Sequence, residues 1–305
     1  MEVSKRIKEL AAEAGFPLAG LAAVPADGTS PGGERFASWL ARGLHGPLSY
    51  LAAKAEARTN PGRRFPWARS VLCVGAFYDA RPAGTPGRDL IAHVARYARG
   101  PDYHRVFTRR LKKLARTLVA EGLCGRAHFY VDTGPVLERA WAAQAGLGFI
   151  GKNTCLIHPR QGSFLLLGEV LLDAAVEPDR PMADHCGTCR RCMKACPTGA
   201  LIEPRVLDAR LCLATWTLEQ KGQVPPALRP AATAYAAGCD ICQEVCPFNA
   251  LRRRPEPDAE LSRPMPWHAM TLAQTAAMDR ETYDRCFRGS VLRRTGLEGL
   301  RTLSD

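Results

Sequence analysis

Twelve cysteines stand out in this 305-residue chain, and eight of them lie between residues 186 and 246. The first run has the spacing C-x2-C-x2-C-x3-C-P and consists of Cys186, Cys189, Cys192 and Cys196-Pro197. In the bacterial ferredoxin pattern with this spacing, three thiolates bind one [4Fe–4S] cluster and the fourth binds a second cluster. The spacing therefore predicts an iron–sulfur module with two clusters.

A second, shorter run completes the ligand count for two clusters. It consists of Cys239, Cys242 and Cys246-Pro247, and Cys212 supplies the ligand it lacks. If the fourth cysteine of each run binds the other cluster, the first cluster takes Cys186, Cys189, Cys192 and Cys246, and the second takes Cys196, Cys212, Cys239 and Cys242. A pair of four-cysteine zinc sites is the alternative, although zinc needs neither the third close cysteine nor the trailing Cys-Pro.

The four remaining cysteines are scattered along the chain and predict a different environment. A free cysteine usually behaves as a small hydrophobic residue in a protein core. We therefore expect a core position for Cys73, Cys124, Cys155 and Cys286.

Asp132 follows an apolar strand pattern and precedes a helical pattern, in the sequence Val-Asp-Thr-Gly-Pro. One interpretation is a turn or capping aspartate. The other is a reactive carboxylic acid at the carboxyl end of a strand, where α/β domains place their chemistry. The sequence alone leaves both interpretations open.

Two further motifs are incomplete. Gly146, Gly148 and Gly151 match G-x-G-x-x-G, but they follow a helix and precede a strand, the reverse of the order in a dinucleotide site, so a tight turn is expected. Asp102-Tyr103-His104 approaches the D-x-H-x-x-G box of some corrinoid proteins, but Phe107 occupies the position of the glycine. We therefore expect neither site.

The elements that must position these residues alternate between helical and strand patterns. The pattern predicts a helix over 103–121, strands over 71–78 and 127–131, a helix that opens at Pro135, and a hairpin of strands 154–157 and 164–172. The fold class is therefore α+β or α/β. We expect a catalytic domain over 1–175, a ferredoxin-like two-cluster domain over 176–255 and a short helical tail over 256–305.

Charge and hydropathy narrow the range of partners. The formal net charge is +12, and Arg105 and Arg109 belong to a basic helix face, which favours a polyanionic partner. The longest apolar run, 164–172, is interrupted by Glu169 and is too short to span a bilayer. The amino terminus has no signal-peptide pattern, so we expect a cytoplasmic protein with reduced thiols and no membrane contact.

Four stretches carry a resemblance to a known family. They are YVDTGPVLERAWAAQAGLGFIGKNTCLI (130–157), HCGTCRRCMKACPTGAL (185–201), LDARLCL (207–213) and GCDICQEVCPFN (238–249). Together they resemble the epoxyqueuosine reductases, oxidoreductases that depend on cobalamin and two [4Fe–4S] clusters and complete queuosine in tRNA. The resemblance extends from about residue 1 to residue 300 and implies a cobalamin-binding amino-terminal domain.

The resemblance also implies roles for individual residues. Asp132 matches the proposed proton donor, and burial beneath the corrin ring would raise its pKa. Matches to the cobalamin pocket are Arg58, Asn153, Leu156, Leu167, Leu213 and Asp240, with Asp132 beside them. Lys221 matches a position near tRNA. Longer members of the family carry carboxy-terminal helical repeats that help to bind tRNA, and here the basic helix and the arginine-rich tail are expected to compensate.

Two other functions remain as alternatives. A small-molecule reductive dehalogenase would use the same cofactors, but it would be expected to carry a twin-arginine signal, which MEVSKRIKEL lacks. A two-cluster electron carrier would leave Asp132 and the domain over 1–175 without a role. The expected partners are tRNA and an electron donor, and we expect a monomer.

Overall fold

A computed structural model describes residues 2–79, 81–220, 224–232, 234–250 and 255–301. Its helices are α1 (Glu2–Glu13), α2 (Gly33–Ala41), α3 (Ser49–Ala53), α4 (Ala55–Thr59), α5 (Pro61–Arg64), α6 (Tyr103–Ala120), α7 (Glu138–Gln144), α8 (Arg191–Ala195), α9 (Arg229–Ala232), α10 (Ile241–Glu244), α11 (Leu272–Ala276), α12 (Arg280–Cys286) and α13 (Gly296–Arg301). Its strands are β1 (Leu18–Ala23), β2 (Ser70–Phe77), β3 (Ala127–Tyr130), β4 (Phe149–Ile150), β5 (Leu156–Ile157), β6 (Leu165–Leu172), β7 (Leu201–Glu203) and β8 (Val206–Leu207).

A four-stranded antiparallel sheet in the order β1-β2-β6-β3 forms the centre of the molecule. Helices α1 and α6 pack against one face of the sheet, and α7 packs against the other. Because both faces are covered, every residue of β2 is buried, which explains its uninterrupted apolar sequence. The mixed fold predicted from the sequence is confirmed, and its antiparallel sheet makes it α+β.

Helix α6 follows the predicted amphipathic pattern. Phe107, Leu111, Leu114 and Leu118 are at most 1 % exposed and face the sheet. The side chain of Asp102 caps the amino-terminal end of the helix by accepting a hydrogen bond from the backbone N–H of His104. This cap fixes the start of α6, and with it the position of His104.

Two local predictions are wrong. Pro135 does not open a helix, because residues 131–136 form a turn and α7 begins only at Glu138. Strands β5 and β6 do not form a hairpin, since β5 pairs with β4 while β6 lies between β2 and β3 in the central sheet. The expected tight turn lies at residues 145–147 and leads into β4, and a side chain at Gly148 would clash with the carbonyl oxygen of Ile157.

The described part of the segment after residue 255 packs into the same core as the amino-terminal elements. Trp267 and Phe287 are fully buried, and their rings stack with centroids 5.9 Å apart. Leu261, Leu292 and Leu300 join the core cluster that also contains Ile7 of α1. The carboxy-terminal residues therefore lie against the first domain and can contribute side chains to a site there.

No helix in the described ranges is both long enough and apolar enough to cross a bilayer.

Candidate active site

A cavity of about 1290 Å³ opens beside the carboxyl end of β3. It exceeds the roughly 300–1,000 Å³ of ordinary small-molecule pockets. Its walls come from six parts of the chain: the α2–α4 region, the start of α6, the β3–α7 turn with the start of α7, residues 150–154, residues 205–219 and the segment around Arg294. A second cavity of about 330 Å³ adjoins it, and both are lined by Glu138, Arg139, Thr154 and Cys212.

Asp132 lies in the turn between β3 and α7, where its side chain lines the large cavity. Its backbone has a φ of 54°, a left-handed conformation that is uncommon outside glycine. The backbone N–H of Asp132 donates a hydrogen bond to the carboxylate of Glu138. Such a conformation persists only where neighbouring contacts hold it, which is typical of functional sites.

His104 bridges two carboxylates at the cavity wall. Its Nδ1 lies 2.7 Å from Oδ1 of Asp102, and its Nε2 lies 3.2 Å from Oδ2 of Asp132. Burial alone would lower the pKa of His104, but the hydrogen bonds to the two carboxylates outweigh it and raise the pKa to about 9. At neutral pH the imidazole therefore carries a proton that is in contact with Asp132.

The pKa of Asp132 departs from the expected direction. Burial favours its neutral form, but the hydrogen bond from His104 and the positive charge of Arg294 outweigh burial and lower the pKa below its ordinary value. The expectation of a raised pKa considered burial alone. It did not include the imidazolium of His104. The proton that can be transferred is therefore on His104, which donates a hydrogen bond to Asp132.

Arg294 reaches the same carboxylate from the carboxy-terminal segment. Its guanidinium lies 3.7 Å from Oδ2 of Asp132 and 3.5 Å from Oε2 of Glu219. Sequence reasoning missed Arg294 and His104 as site residues. The incomplete Asp-Tyr-His motif was a signal for His104, whereas nothing in the sequence pointed to Arg294.

The eight clustered cysteines form two groups in the structure. The thiol of Cys246 interacts electrostatically with Cys186 and Cys192, although it is distant from both in sequence. Cys239 interacts in the same way with Cys212 and Cys196. Each of these contacts joins a cysteine of one run to a cysteine of the other, because helices α8 and α10 pack together and bring the two runs side by side. The division into two crossed ligand sets stays a prediction.

The donor chemistry of these thiols suits a metal cluster. Burial raises the pKa of Cys239 to about 12 and that of Cys246 to about 11, so bound metal must supply the positive charge that stabilises their thiolates. Within the described residues, no three His, Cys, Asp or Glu side chains converge as on a single ion.

Cys155 does not occupy the simple core position expected from the sequence. Its thiol is within hydrogen-bonding range of Cys242, and it lines the second cavity beside Cys196, Cys212 and Cys239. Cys73 and Cys124 are buried in the core as expected, and Cys286 packs against it. Lys152 connects the first domain to the cysteine module. Its ammonium donates to the carbonyls of Gly187 and Cys189 at 2.6 and 2.9 Å, and sequence reasoning did not single it out.

The residues expected at a cobalamin pocket lie in different places around the two cavities. Arg58 lines the large cavity, while the second cavity is lined by Asn153, Leu156, Leu167 and Leu213. Arg58 is only 5 % exposed as a residue, and its guanidinium donates one long hydrogen bond, 3.4 Å, to the carbonyl of Tyr50. A buried cation with so little compensation is suited to bind an acceptor group of a ligand.

Asp240 and the residues predicted to contact tRNA have separate environments. Asp240 is buried away from both cavity walls, and its carboxylate accepts from the backbone and guanidinium of Arg96 at 2.7 and 3.3 Å. Arg105 is exposed and lines the large cavity. Arg109 lies one helical turn further along and pairs with Glu260. Lys221 and the arginines at 252–254 lie outside the described residues.

The cysteine module and the adjoining cavities define the class of protein as an iron–sulfur oxidoreductase. A family model described as a 4Fe-4S double cluster binding domain matches residues 185–249. A second model, described as Epoxyqueuosine reductase QueG, DUF1730, matches residues 58–133, a range that begins at Arg58 and includes His104 and Asp132.

Similarity over nearly the whole chain identifies the family. An epoxyqueuosine reductase of Gloeobacter violaceus is 41% identical over 97% of this chain and 92% of its own length. The Escherichia coli relative is 34% identical over 99% of this chain and 80% of its own length. The chain belongs to the epoxyqueuosine reductase family.

Two solved structures extend the comparison to three dimensions. An epoxyqueuosine reductase bound to an epoxyqueuosine-modified tRNA-Tyr stem loop matches with a TM-score of 0.80 and 28% identity, over 99% of this chain and 80% of that one. The Bacillus subtilis enzyme, with its catalytic aspartate loop swung out of the active site, matches with a TM-score of 0.77 and 27% identity, over the same shares.

Proposed function

We propose that this protein reduces epoxyqueuosine to queuosine in tRNA, with two [4Fe–4S] clusters and cobalamin as cofactors. The observation that carries the proposal is the pair of adjoining cavities, with Asp132 and His104 lining the larger one and the cysteines of the second group lining the smaller one. The side chains of the larger cavity can supply a proton, and a cluster at the smaller one can supply an electron, to a substrate bound in the cavities. Family membership names the substrate class.

The cavities fit the cofactors of the family. Together they offer space for a macrocycle and a nucleotide, a buried guanidinium at Arg58 and an apolar wall formed by Leu156, Leu167 and Leu213. We assign these residues, with Asn153 and Asp132, to the cobalamin site, and we leave out Asp240, which pairs with Arg96 away from both cavity walls. When bound there, cobalamin supplies the low-potential chemistry that side chains lack.

The side chains at the cavity wall supply protons. Reduction of the epoxide takes up two electrons and two protons, breaks both C–O bonds and releases the oxygen as water, leaving an alkene. Asp132 is placed to pass a proton to the opening oxygen and to recover one from the imidazolium of His104 at 3.2 Å. Asp102 holds the other side of the imidazole and keeps its proton available.

The positions of the two cysteine groups support a direction for electron flow. Cys196, Cys212 and Cys239 line the second cavity, so the cluster they would bind lies next to the reaction space. The group with Cys186, Cys189, Cys192 and Cys246 would bind the outer cluster, which accepts single electrons from a donor protein or chemical reductant. We therefore propose that residues 176–255 act as an electron relay for the catalytic domain over 1–175.

The rim of the large cavity suits an anticodon stem loop. It carries Arg35, Lys54, Arg105, Arg288 and Arg293, with Trp39 and Tyr50 among them. Basic side chains bind phosphates, and aromatic rings stack on unpaired bases in single-stranded RNA. The relative described above binds such a stem loop, and we propose the same partner for a monomer of this chain acting in the cytoplasm.

The test is conversion of a defined substrate. Anaerobically reconstituted protein is mixed with a chemical reductant and an anticodon stem loop that carries epoxyqueuosine, and the nucleosides are analysed by mass spectrometry. We expect each protein molecule to convert many stem loops from epoxyqueuosine to queuosine. Absence of conversion by protein loaded with both clusters and cobalamin would refute the proposal. Conversion of a small halogenated aromatic instead would support the dehalogenase alternative.

A further inference from the structure

Glu169 is a carboxylic acid in an unusual position, near the middle of the central strand β6. It is fully buried, and among the described residues no N–H or O–H donor reaches either oxygen of its carboxyl group. It pairs in register with Cys73 of β2 and Tyr130 of β3, and it projects toward α7. The mechanism above gives this residue no role.

The group that meets Glu169 is another buried carboxyl. Helix α7, which begins at Glu138, packs against β6, and the carboxyl groups of Glu138 and Glu169 interact there. Two ionised carboxylates cannot share a hydrogen bond, and their repulsion at such a short distance is strong in a buried site. One of the pair must therefore carry a proton, which serves as the donor.

The surroundings assign this proton to Glu169. Burial and the charge of Asp132 raise the pKa of Glu138 to about 7, but the backbone N–H of Asp132 and the positive charge of Arg139 oppose this rise and stabilise a carboxylate at this position. Glu169 has neither contact, and burial and the neighbouring Glu138 favour its neutral form. The titratable or charged groups facing the pair are Asp132, Arg139, Cys73 and Tyr103.

The pair connects directly to the catalytic turn. Glu138 accepts a hydrogen bond from the backbone N–H of Asp132, the residue with a φ of 54°. A contact with the backbone constrains the turn itself, whereas His104 and Arg294 contact only the side chain. A continuous set of hydrogen bonds therefore runs from the interior of the sheet to the strained residue in the cavity.

We propose that Glu138 and Glu169 are positioning residues for the reduction: neutral Glu169 donates a hydrogen bond to Glu138, and Glu138 holds the Asp132 turn in the cavity. The inference rests on the proposed function and adds a conformational requirement to it. A buried carboxyl is costly unless it is hydrogen-bonded, and an apolar side chain at 169 would pack in the core at lower cost. The hydrogen-bonded connection to the Asp132 turn explains why a carboxyl group occupies position 169.

Infrared spectroscopy of the holoenzyme tests the shared proton without measuring activity. At pH 8, ordinary carboxyl groups are ionised, so a protonated carboxylic acid gives an isolated carbonyl stretching band. We expect this band in the wild type and its loss in Glu169→Gln. Absence of the band in the wild type, or its persistence in Glu169→Gln, would overturn the proposal.

Kinetics test the positioning role. The amide of Glu169→Gln still donates to Glu138, so we expect kcat within about threefold of the wild type. Glu169→Leu removes the donor, and we expect kcat to fall by roughly 10- to 100-fold with little change in KM, because misplacing a catalytic group by about 1 Å has effects of this size. Wild-type kcat in Glu169→Leu, or equal losses in both variants, would overturn the proposal.

Val170→Ala is the matched control for damage to the core. Val170 follows Glu169 on β6 and projects into the core on the opposite face of the sheet. We expect a lower Tm and an unchanged kcat for this variant, whereas a kcat loss equal to that of Glu169→Leu would show a merely structural effect and overturn the proposal.

If the wild type forms no queuosine, the proposed function fails, while the infrared band still decides whether the pair shares a proton.

Discussion

At the scale of single residues, the proposed chemistry depends on how Asp132 obtains and delivers a proton. Its carboxylate contacts both His104 and Arg294, so it is ionised more readily than an isolated buried carboxyl. The imidazolium of His104 compensates, because it retains a proton to about pH 9 and contacts the same carboxylate. The functional acid is therefore the hydrogen-bonded pair.

Asp132→Asn tests the proton donor. The amide preserves the size of the side chain and does not carry a transferable acid proton. We expect the variant to retain both clusters and cobalamin by iron content and visible absorbance, and to lose roughly 10²- to 10⁴-fold in kcat, the usual contribution of general acid catalysis. Near-normal turnover in Asp132→Asn would end its assignment as the donor.

The pH dependence of kcat tests the role of His104. Because the pKa of His104 is raised to about 9, its proton is fully present below the ordinary value of about 6.5 and is lost as the pH rises through 9. We expect wild-type kcat to fall over that upper range. In His104→Asn the proton must reside on Asp132 alone, so the decline should begin at a pH several units lower. His128→Asn, which alters an exposed histidine outside the cavity, should keep the wild-type profile.

At the scale of secondary-structure elements, the two cysteine runs act as one unit because α8 packs against α10. The crossed ligand pattern makes a specific prediction about single substitutions. Cys246→Ser should lose the same cluster as Cys189→Ser, although Cys246 belongs to the other run. Cys242→Ser should lose the other cluster.

Electron paramagnetic resonance of the reduced variants, together with iron analysis, checks this prediction. Each variant should retain about half of the iron, since one cluster remains. The spectrum of Cys246→Ser should match that of Cys189→Ser and differ from that of Cys242→Ser. Cys286→Ser, outside the module, should retain both clusters. A match between Cys246→Ser and Cys242→Ser would contradict the crossed pattern.

Elements with a strong local signal were predictable from the sequence, and contacts between distant elements were not. Helix α6 and the cysteine spacing carry their information within a few residues. The expected hairpin failed because β6 is long and apolar and has a better place between β2 and β3, which local periodicity does not reveal. In the same way, the position of Asp132 was predictable, but its contacts with His104, 28 residues away, and with Arg294 arise only from the fold.

At the scale of the whole molecule, part of the excess positive charge lies at the large cavity. The rim of the large cavity is basic, and the chain carries a net charge of +12. A tRNA held by its phosphates releases bound counterions, so its affinity falls as salt rises. The carboxy-terminal segment places Arg288 and Arg293 in this rim and Arg294 beside Asp132, so the proposed tRNA contacts and the proposed proton donor share one segment.

The salt dependence of stem-loop binding tests this electrostatic contribution. We expect a steep linear fall of log affinity with log salt concentration, and Arg105→Gln should reduce the slope by about one. Arg109→Gln should change the slope less, because the guanidinium of Arg109 is already paired with Glu260. Fluorescence anisotropy of a labelled stem loop measures both slopes. Affinity that does not change with salt would contradict the assignment of the basic rim.

The stoichiometry of electrons and product tests the central claim most directly. Fully loaded protein is supplied anaerobically with limiting reductant and an epoxyqueuosine-containing anticodon stem loop, and both reductant consumed and queuosine formed are measured. We predict two electrons consumed for each queuosine formed, and no consumption beyond cofactor reduction with a stem loop that lacks the epoxide. Electrons consumed without queuosine, or no conversion at all by the loaded protein, would contradict the account.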